Sequence, residues 1–305
     1  MLHQRQTISY LQKRFSECGI HPEKGHGQNF LIDLNLIELL VREAKFGPGD
    51  VVLEVGTGTG SLTAMMAQEA DWVVTVEIDS RMHQLAREEL AGQPNVTMLL
   101  IDALKGKNQI APEVIEAVRQ QLAAEPGRRL KLAANLPYNI ATPLIANLLA
   151  SDLPLASLTV TIQKELADRI TALPGTKDYS ALSVWVQALA TARTVRVMPP
   201  DVFWPRPKVH SAILQIIPSP EKRAAISNLT FFHQFVKNLF LHRRKLLRSG
   251  LLSAVNKELS KPEIDEILTG QDLAPTARAE ELSVDQLHRL SIAVGAKLGA
   301  AKPAE

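Results

Sequence analysis

Short apolar runs alternate with helical patterns through the first half of this chain, and that alternation limits its possible folds more than any other feature. Val51 to Val55, Trp72 to Ile78, Val96 to Ile101, Leu130 to Ala134 and Leu158 to Ile162 read as strands. Ser61 to Glu69, Met82 to Leu90, Ala111 to Ala124 and Pro143 to Leu149 read as the helices between and after them. Strand, helix and strand in one sheet connect by a right-handed crossover, so an α/β fold with a mostly parallel, doubly wound sheet is expected. Ahead of it, Asp33 is placed to cap a helix to Ala44, with Leu36, Ile37, Leu40, Val41 and Ala44 on one face.

The pattern changes after Ile162. Ala181 to Ala190 reads as a helix, Thr194 to Val197 is β-rich, and Val209 to Ile217 alternates as a late strand. Pro199, Pro200, Pro205 and Pro207 punctuate the loop between them, and beyond Pro218 and Pro220 the chain looks helical. The expected division is therefore a 1–218 domain and a small all-helical 219–305 domain. The Ala-, Lys- and Gly-rich tail from Gly295 to Glu305 is expected to fray.

Several classes are set aside. Cys18 is the single cysteine, so no intrachain disulfide and no multi-cysteine metal site can form, and the eight histidines show no ligand spacing. No metal is expected. Met1 to Phe15 carries Arg5, Lys13 and Arg14 with no apolar core, unlike a signal peptide or membrane anchor. No apolar run is long enough for a bilayer, so a cytoplasmic monomer without a membrane partner is expected.

Net charge is +2 but unevenly spread. Asp201 to Ser260 holds ten Lys/Arg against three Asp/Glu, while Lys261 to Glu305 holds five against eight. A basic helix is expected between about Phe231 and Gly250, with an apolar stripe that includes Phe232, Phe235, Val236 and Leu239. Arg243, Arg244, Lys245 and Arg248 crowd one turn, with no acidic residue between Asn228 and Lys257 to pair with them locally. A polyanionic partner such as RNA suits this turn; a solvated face with ion pairs is the plain alternative.

A ligand site is marked at the strand ends. Glu54-Val55-Gly56-Thr57-Gly58-Thr59-Gly60 lies between the first strand and its helix, where glycines allow a tight turn and close backbone approach. Glu77 ends the second strand and can bind ribose hydroxyls, and Asp102 ends the third and can hold an adenine amine. NAD and S-adenosyl-L-methionine both carry an adenosine ribose. The dinucleotide fingerprint is Gly-X-Gly-X-X-Gly, whereas Gly56, Gly58 and Gly60 give Gly-X-Gly-X-Gly behind an acid. A carboxylate there suits a ligand with an amino group and a sulfonium charge, which favours a methyltransferase.

Asn135-Leu136-Pro137-Tyr138 follows the fourth strand. The Asn side-chain oxygen and the Leu136 carbonyl can accept hydrogen bonds from an exocyclic amine, Pro137 stiffens the turn, and Tyr138 can stack on a base. An Asn-initiated turn with a partly buried Tyr is the plain alternative. The eight histidines and one cysteine form no nucleophile arrangement, and this chemistry needs none.

At this point the chain resembles the bacterial small-subunit rRNA adenine dimethyltransferases, with the erythromycin-resistance rRNA methyltransferases as cousins. The likeness rests on Gly27-Gln28-Asn29-Phe30-Leu31, Glu54 to Gly60, Val76-Glu77-Ile78-Asp79, Asp102-Ala103, Asn135-Leu136-Pro137-Tyr138-Asn139 and Gln163-Lys164-Glu165. It continues through Tyr179 to Ser183, Phe203-Trp204-Pro205-Arg206-Pro207-Lys208-Val209, Arg243-Arg244-Lys245 and Arg278-Ala279-Glu280. Thr57 stands where proline is frequent, and the stretches before Gly27 and between Asp102 and Leu132 are longer than in typical members.

The resemblance implies a Rossmann-like class I methyltransferase domain whose segment 1–30, with Asn29 and Leu31, closes over S-adenosyl-L-methionine. It implies dimethylation of the N6 amines of two adjacent adenosines near the 3′ end of small-subunit (16S) rRNA, within an immature 30S ribosomal subunit. It also implies that Phe203 stacks on the base opposite Tyr138; core packing is the alternative for Phe203. Two further readings stay open: a DNA adenine or protein-glutamine methyltransferase, separable by assays on each substrate, and a ribosome-assembly factor. A catalytically dead variant that still matures subunits would favour the last.

Overall fold

The computed structural model describes residues 8–17, 19, 29–106 and 109–301. Cys18, Gly27, Gln28, Arg5 and the last four residues lie outside the described residues. The chain opens with α1 (Ile8–Glu17), β1 (Phe30–Leu31) and α2 (Leu34–Ala44). Asp33 caps α2, its carboxylate accepting from the Asn35 N–H at 2.9 Å. Then come β2 (Asp50–Val55), α3 (Ser61–Met66), β3 (Trp72–Glu77), α4 (Ser80–Glu89), β4 (Val96–Leu100) and α5 (Pro112–Ala123). β5 (Arg129–Asn135), α6 (Ala141–Ala150), β6 (Leu155–Gln163), α7 (Lys164–Thr171), α8 (Ala181–Leu189) and β7 (Ala190–Met198) follow. After β8 (Phe203–Trp204) and β9 (Ser211–Pro218) the chain is helical: α9 (Pro220–Ala225), α10 (Leu229–Phe240), α11 (Leu247–Ala254), α12 (Lys261–Gly270) and α13 (Val284–Ala301).

Seven strands form one sheet in the order β4-β3-β2-β5-β6-β9-β7. β2 to β6 pair in parallel, and β9 joins β6 antiparallel. Every β2 residue is buried, as expected for a parallel strand covered on both faces. The long 105–129 connection has a topological cause. β4 lies at the sheet edge, and β5 lies beyond β3 and β2, so the chain must cross the sheet. α5 makes that crossing and buries Val114 and Val118.

The carboxyl ends of β2, β3 and β5 carry the site, while the opposite ends carry an ion cluster. Asp50, fully buried, pairs with the buried Lys131 Nζ at 2.8 Å and with Arg129 at 2.6 Å. Lys131 also donates to the Ala44 and Lys45 carbonyls, closing the C-terminus of α2. A lysine in the middle of an apolar strand thus ties helix to sheet.

Two compact units result, 1–167 with 193–218, and 168–192 with 219–305. The second begins at Ser219, but it also takes 168–192, which the sequence reading assigned to the first domain. Within this unit α8 packs against α10 and α13. The Tyr179 hydroxyl donates to the Leu282 carbonyl at 3.0 Å, and Gln187 donates to the Ile170 and Ala172 carbonyls. α13 continues to Ala301, so the start of the tail expected to fray is helical.

Among the described residues no helix is long and apolar enough to cross a membrane, and no group of His, Cys, Asp or Glu could hold a metal ion.

Candidate active site

Two adjoining cavities lie at the strand ends, about 130 and 50 Å³. Phe30, Gly56, Gly58 and Asn135 line both. Glu77, Ile78, Asp102 and Asn29 line the larger, and Glu54 and Leu31 the smaller.

The glycine loop shapes both. Gly56 and Gly58 have φ of +88° and +57°, a region that side chains strain. A Cβ at Gly56 would stand 3.3 Å from the Pro137 ring, and one at Gly58 3.3 Å from the Phe30 ring. Gly60 lines neither cavity. It precedes α3 and packs beside Leu90 and Ala86, so its expected cofactor contact gives way to a helix-packing role.

Glu77 accepts from the backbone N–H groups of Gly58, Ile78 and Asp79, each at 3.0 Å. Burial pushes its carboxyl above the usual range, against the pull of those donors. Glu54 is 1% exposed and accepts from the hydroxyls of Thr63 at 2.5 Å and Thr75 at 2.6 Å. Burial pushes it up to about 8, so it holds its proton at neutral pH. The sequence reading passed over Thr63 and Thr75. A threonine within the apolar run of β3 is the signal for Thr75, which pairs in register with Glu54. Asp102 lies two residues beyond β4, exposed, with one oxygen accepting from the Leu104 N–H at 2.9 Å.

Asn135 ends β5. Its side-chain nitrogen donates to the Asn29 carbonyl at 2.8 Å, which turns its oxygen the other way. The Leu136 side chain is buried, and its N–H donates to the Thr161 carbonyl at 3.1 Å. Pro137 borders the larger cavity and accepts from the Ile140 N–H, closing the turn. Tyr138 borders neither cavity. It stands half-buried beyond Pro137, its hydroxyl 2.7 Å from that of Ser211.

Phe203 is placed differently from expectation. β8 pairs antiparallel with β1, Leu31 opposite Phe203 and Phe30 opposite Trp204. Strand alternation turns Phe203 inward, 2% exposed, among Leu31, Ile37, Leu40 and Ile213. Its ring is a core residue here, not a second stacking face. Trp204 takes the other side and packs on Phe15.

The basic turn also differs. Residues 231–250 form two helices, α10 and α11, joined by a turn, with Gly250 of α11 close against Leu239 of α10. Arg248 forms a two-pronged ion pair with Asp265 of α12. Arg243 donates to the Lys177 and Tyr179 carbonyls and pairs with Glu280 at 3.4 Å. Both therefore make ion pairs inside the helical unit, with acids that lie outside the 228–257 stretch, whereas the sequence offered no local partner. Arg244 and Lys245 are exposed.

The family model for ribosomal RNA adenine dimethylase matches residues 21–294, nearly the whole chain. The chain belongs to the ribosomal RNA adenine dimethylase family. It is 37% identical over 275 residues to ribosomal RNA small subunit methyltransferase A of Alkaliphilus oremlandii, covering 90% of this chain and 92% of that protein. The protein of the same name in Bacillus mycoides is 38% identical over 277 residues, with 90% and 92% covered. Among solved structures, a dimethyladenosine transferase from Plasmodium falciparum superposes with a TM-score of 0.71 at 25% identity, covering 88% of this chain and 97% of that one. As a dimethylase-family member, the chain has an α/β methyltransferase fold with an appended helical region.

Proposed function

We propose that this protein dimethylates the N6 amines of two adjacent adenosines near the 3′ end of small-subunit (16S) rRNA, using S-adenosyl-L-methionine. Its substrate is an immature 30S subunit in the cytoplasm. The observation that carries this reading is Asn135, which lines both cavities with its side-chain oxygen unclaimed by the Asn29 contact.

The residues fit an S-adenosyl-L-methionine molecule in two parts. The larger cavity, with the Glu77 carboxylate and Asp102 on its wall, suits a ribose and adenine. The smaller, with Glu54 at its floor, suits an amino-acid group. The dense packing behind Gly56 and Gly58 leaves no room for a side chain on that wall. When bound, the cofactor supplies an electrophilic methyl on sulfonium sulfur.

The chain's own task is positioning. An adenine amine is a weak nucleophile because its lone pair is drawn into the ring. Hydrogen bonds from that amine to the Asn135 oxygen and the Leu136 carbonyl favour a more tetrahedral nitrogen. Tyr138, outside both cavities with its hydroxyl 2.7 Å from that of Ser211, suits stacking on a base unstacked from its helix. Arg244 and Lys245 are the exposed cations of the basic turn and suit rRNA phosphates.

Labelled S-adenosyl-L-methionine, incubated with the protein and immature small subunits, tests the proposal. Label on two adjacent adenosines near the 3′ end supports it. Label only on DNA or protein would overturn it.

A further inference from the structure

We propose that Ser211 is a positioning residue for methyl transfer, acting through the ring of Tyr138. The inference rests on the reading above that Tyr138 stacks on the target base. Tyr138 sits on a turn and is only half-buried. Its far end is tied, the phenol oxygen lying 2.7 Å from the Ser211 hydroxyl. A ring held at both ends keeps one plane, and a stacking platform needs a defined plane.

Ser211 is suited to this work because it cannot itself move. It is 0% exposed and is the first residue of β9, in register with Gln163 of β6. The preceding residue is pinned too, the His210 carbonyl accepting from the Lys164 N–H at 2.9 Å. The turn bearing Tyr138 is anchored to the same strand, since Leu136 donates to Thr161 of β6. Serine and tyrosine are thus fixed to a common strand from its two sides. The contact explains why a tyrosine serves here where a phenylalanine would stack as well. It also gives a buried serine hydroxyl its partner. With Phe203 in the core, Tyr138 carries the orientation of the base alone among the two aromatic residues expected to do so.

Single-turnover methylation of immature small subunits at saturating cofactor is the test, beside calorimetric cofactor affinity and thermal melting. Ser211→Ala and Tyr138→Phe each delete the same hydrogen bond. Each should slow the methyl-transfer step by about three- to tenfold, the rate equivalent of one ordinary hydrogen bond. Cofactor affinity should not change. The double variant should be no slower than either single one, because the second change removes nothing further. Tyr138→Phe leaves no cavity in the sheet, so it reads the tether even where Ser211→Ala lowers the melting temperature. Tyr138→Ala separates the two ideas. Parent rate in Tyr138→Ala overturns the stacking reading itself. A slow Tyr138→Ala beside parent rates in Ser211→Ala and Tyr138→Phe overturns the tether alone, as does a Ser211→Ala loss that persists in full in the Tyr138→Phe background.

Discussion

Asn135 donates its side-chain N–H to the backbone carbonyl of Asn29, 2.8 Å away and 106 residues earlier in the chain. A carbonyl can only accept, so this contact fixes which end of the carboxamide faces the substrate. Asn135→Ala should lower single-turnover methylation by roughly 10²–10³, the usual cost of one hydrogen bond made in the transition state, with little change in cofactor affinity. Asn135→Asp should also fail, because its carboxylate meets the Asn29 carbonyl without a proton to share. Parent rate in either variant would remove the amine-positioning role.

Glu77 offers a cleaner binding test. Glu77→Ala should weaken cofactor binding by about 2–4 kcal/mol, the range for charged hydrogen bonds to hydroxyls. Far-ultraviolet circular dichroism should stay at the parent spectrum. Calorimetric titration that returns the parent affinity would take Glu77 out of the site.

Glu54 predicts a pH dependence. Its folded pKa stands near 8 against about 4.5 in the unfolded chain. Between those values the folded protein keeps a proton that the unfolded chain has lost, so stability falls as pH rises through this window. Glu54→Gln can still accept from Thr63 and Thr75 but has no proton to lose. The variant should therefore gain on the parent by up to about 4 kcal/mol between pH 5 and pH 8. Melting curves at several pH values check it, and a constant gap would refute the assignment. An ammonium group in the smaller cavity favours ionised Glu54. Cofactor binding at pH 7 should then release about one proton, visible by calorimetry in buffers of different ionisation enthalpy and absent in Glu54→Gln.

The basic turn divides into two kinds of residue. Replacing Arg244 and Lys245 together by Ala should weaken small-subunit binding and reduce the slope of log affinity against log salt by roughly 1.4–1.8, the value for two phosphates. Arg248→Ala should leave that slope alone and lower the melting temperature, because Asp265 loses its partner. A parent slope in the double variant would place the RNA surface elsewhere.

Lys131→Ala should be costly in a different currency. It leaves the buried Asp50 with only Arg129 and the Gly47 N–H, and frees the Ala44 and Lys45 carbonyls at the end of α2, a loss of about 3–5 kcal/mol. Denaturant titration reads it. A loss under 1 kcal/mol would mean that the cluster is dispensable.

What was readable in advance was local. Apolar runs of strand length alternating with helical faces were enough for the doubly wound sheet, and the glycine loop, Glu77 and Asn135 all lie where a strand ends. What escaped depended on partners far away in sequence. Asp265 and Glu280 claim Arg248 and Arg243 from helices the basic turn does not border in sequence. Phe203 is buried because it pairs with Leu31, a match that no local pattern announces. The break between α10 and α11 contains neither proline nor glycine, so the run from Phe231 to Gly250 looked continuous. α1 and α7 were not anticipated at all. The Tyr138–Ser211 contact joins a turn to a strand 73 residues later, and nothing in either segment alone marks it.

The small ribbon of β1 and β8 has a consequence for how the protein is made. Phe30 lines both cavities, yet its strand partner Trp204 is synthesised 174 residues later. A chain still being translated can assemble β2, β3 and the glycine loop early, but β1 has nothing to pair with until Trp204 has left the exit tunnel. The pocket wall formed by Asn29, Phe30 and Leu31 is therefore among the last parts to be secured. A nascent chain stalled before Trp204 should bind cofactor poorly, and one released past Pro218, with the seven-stranded sheet complete, should bind it well.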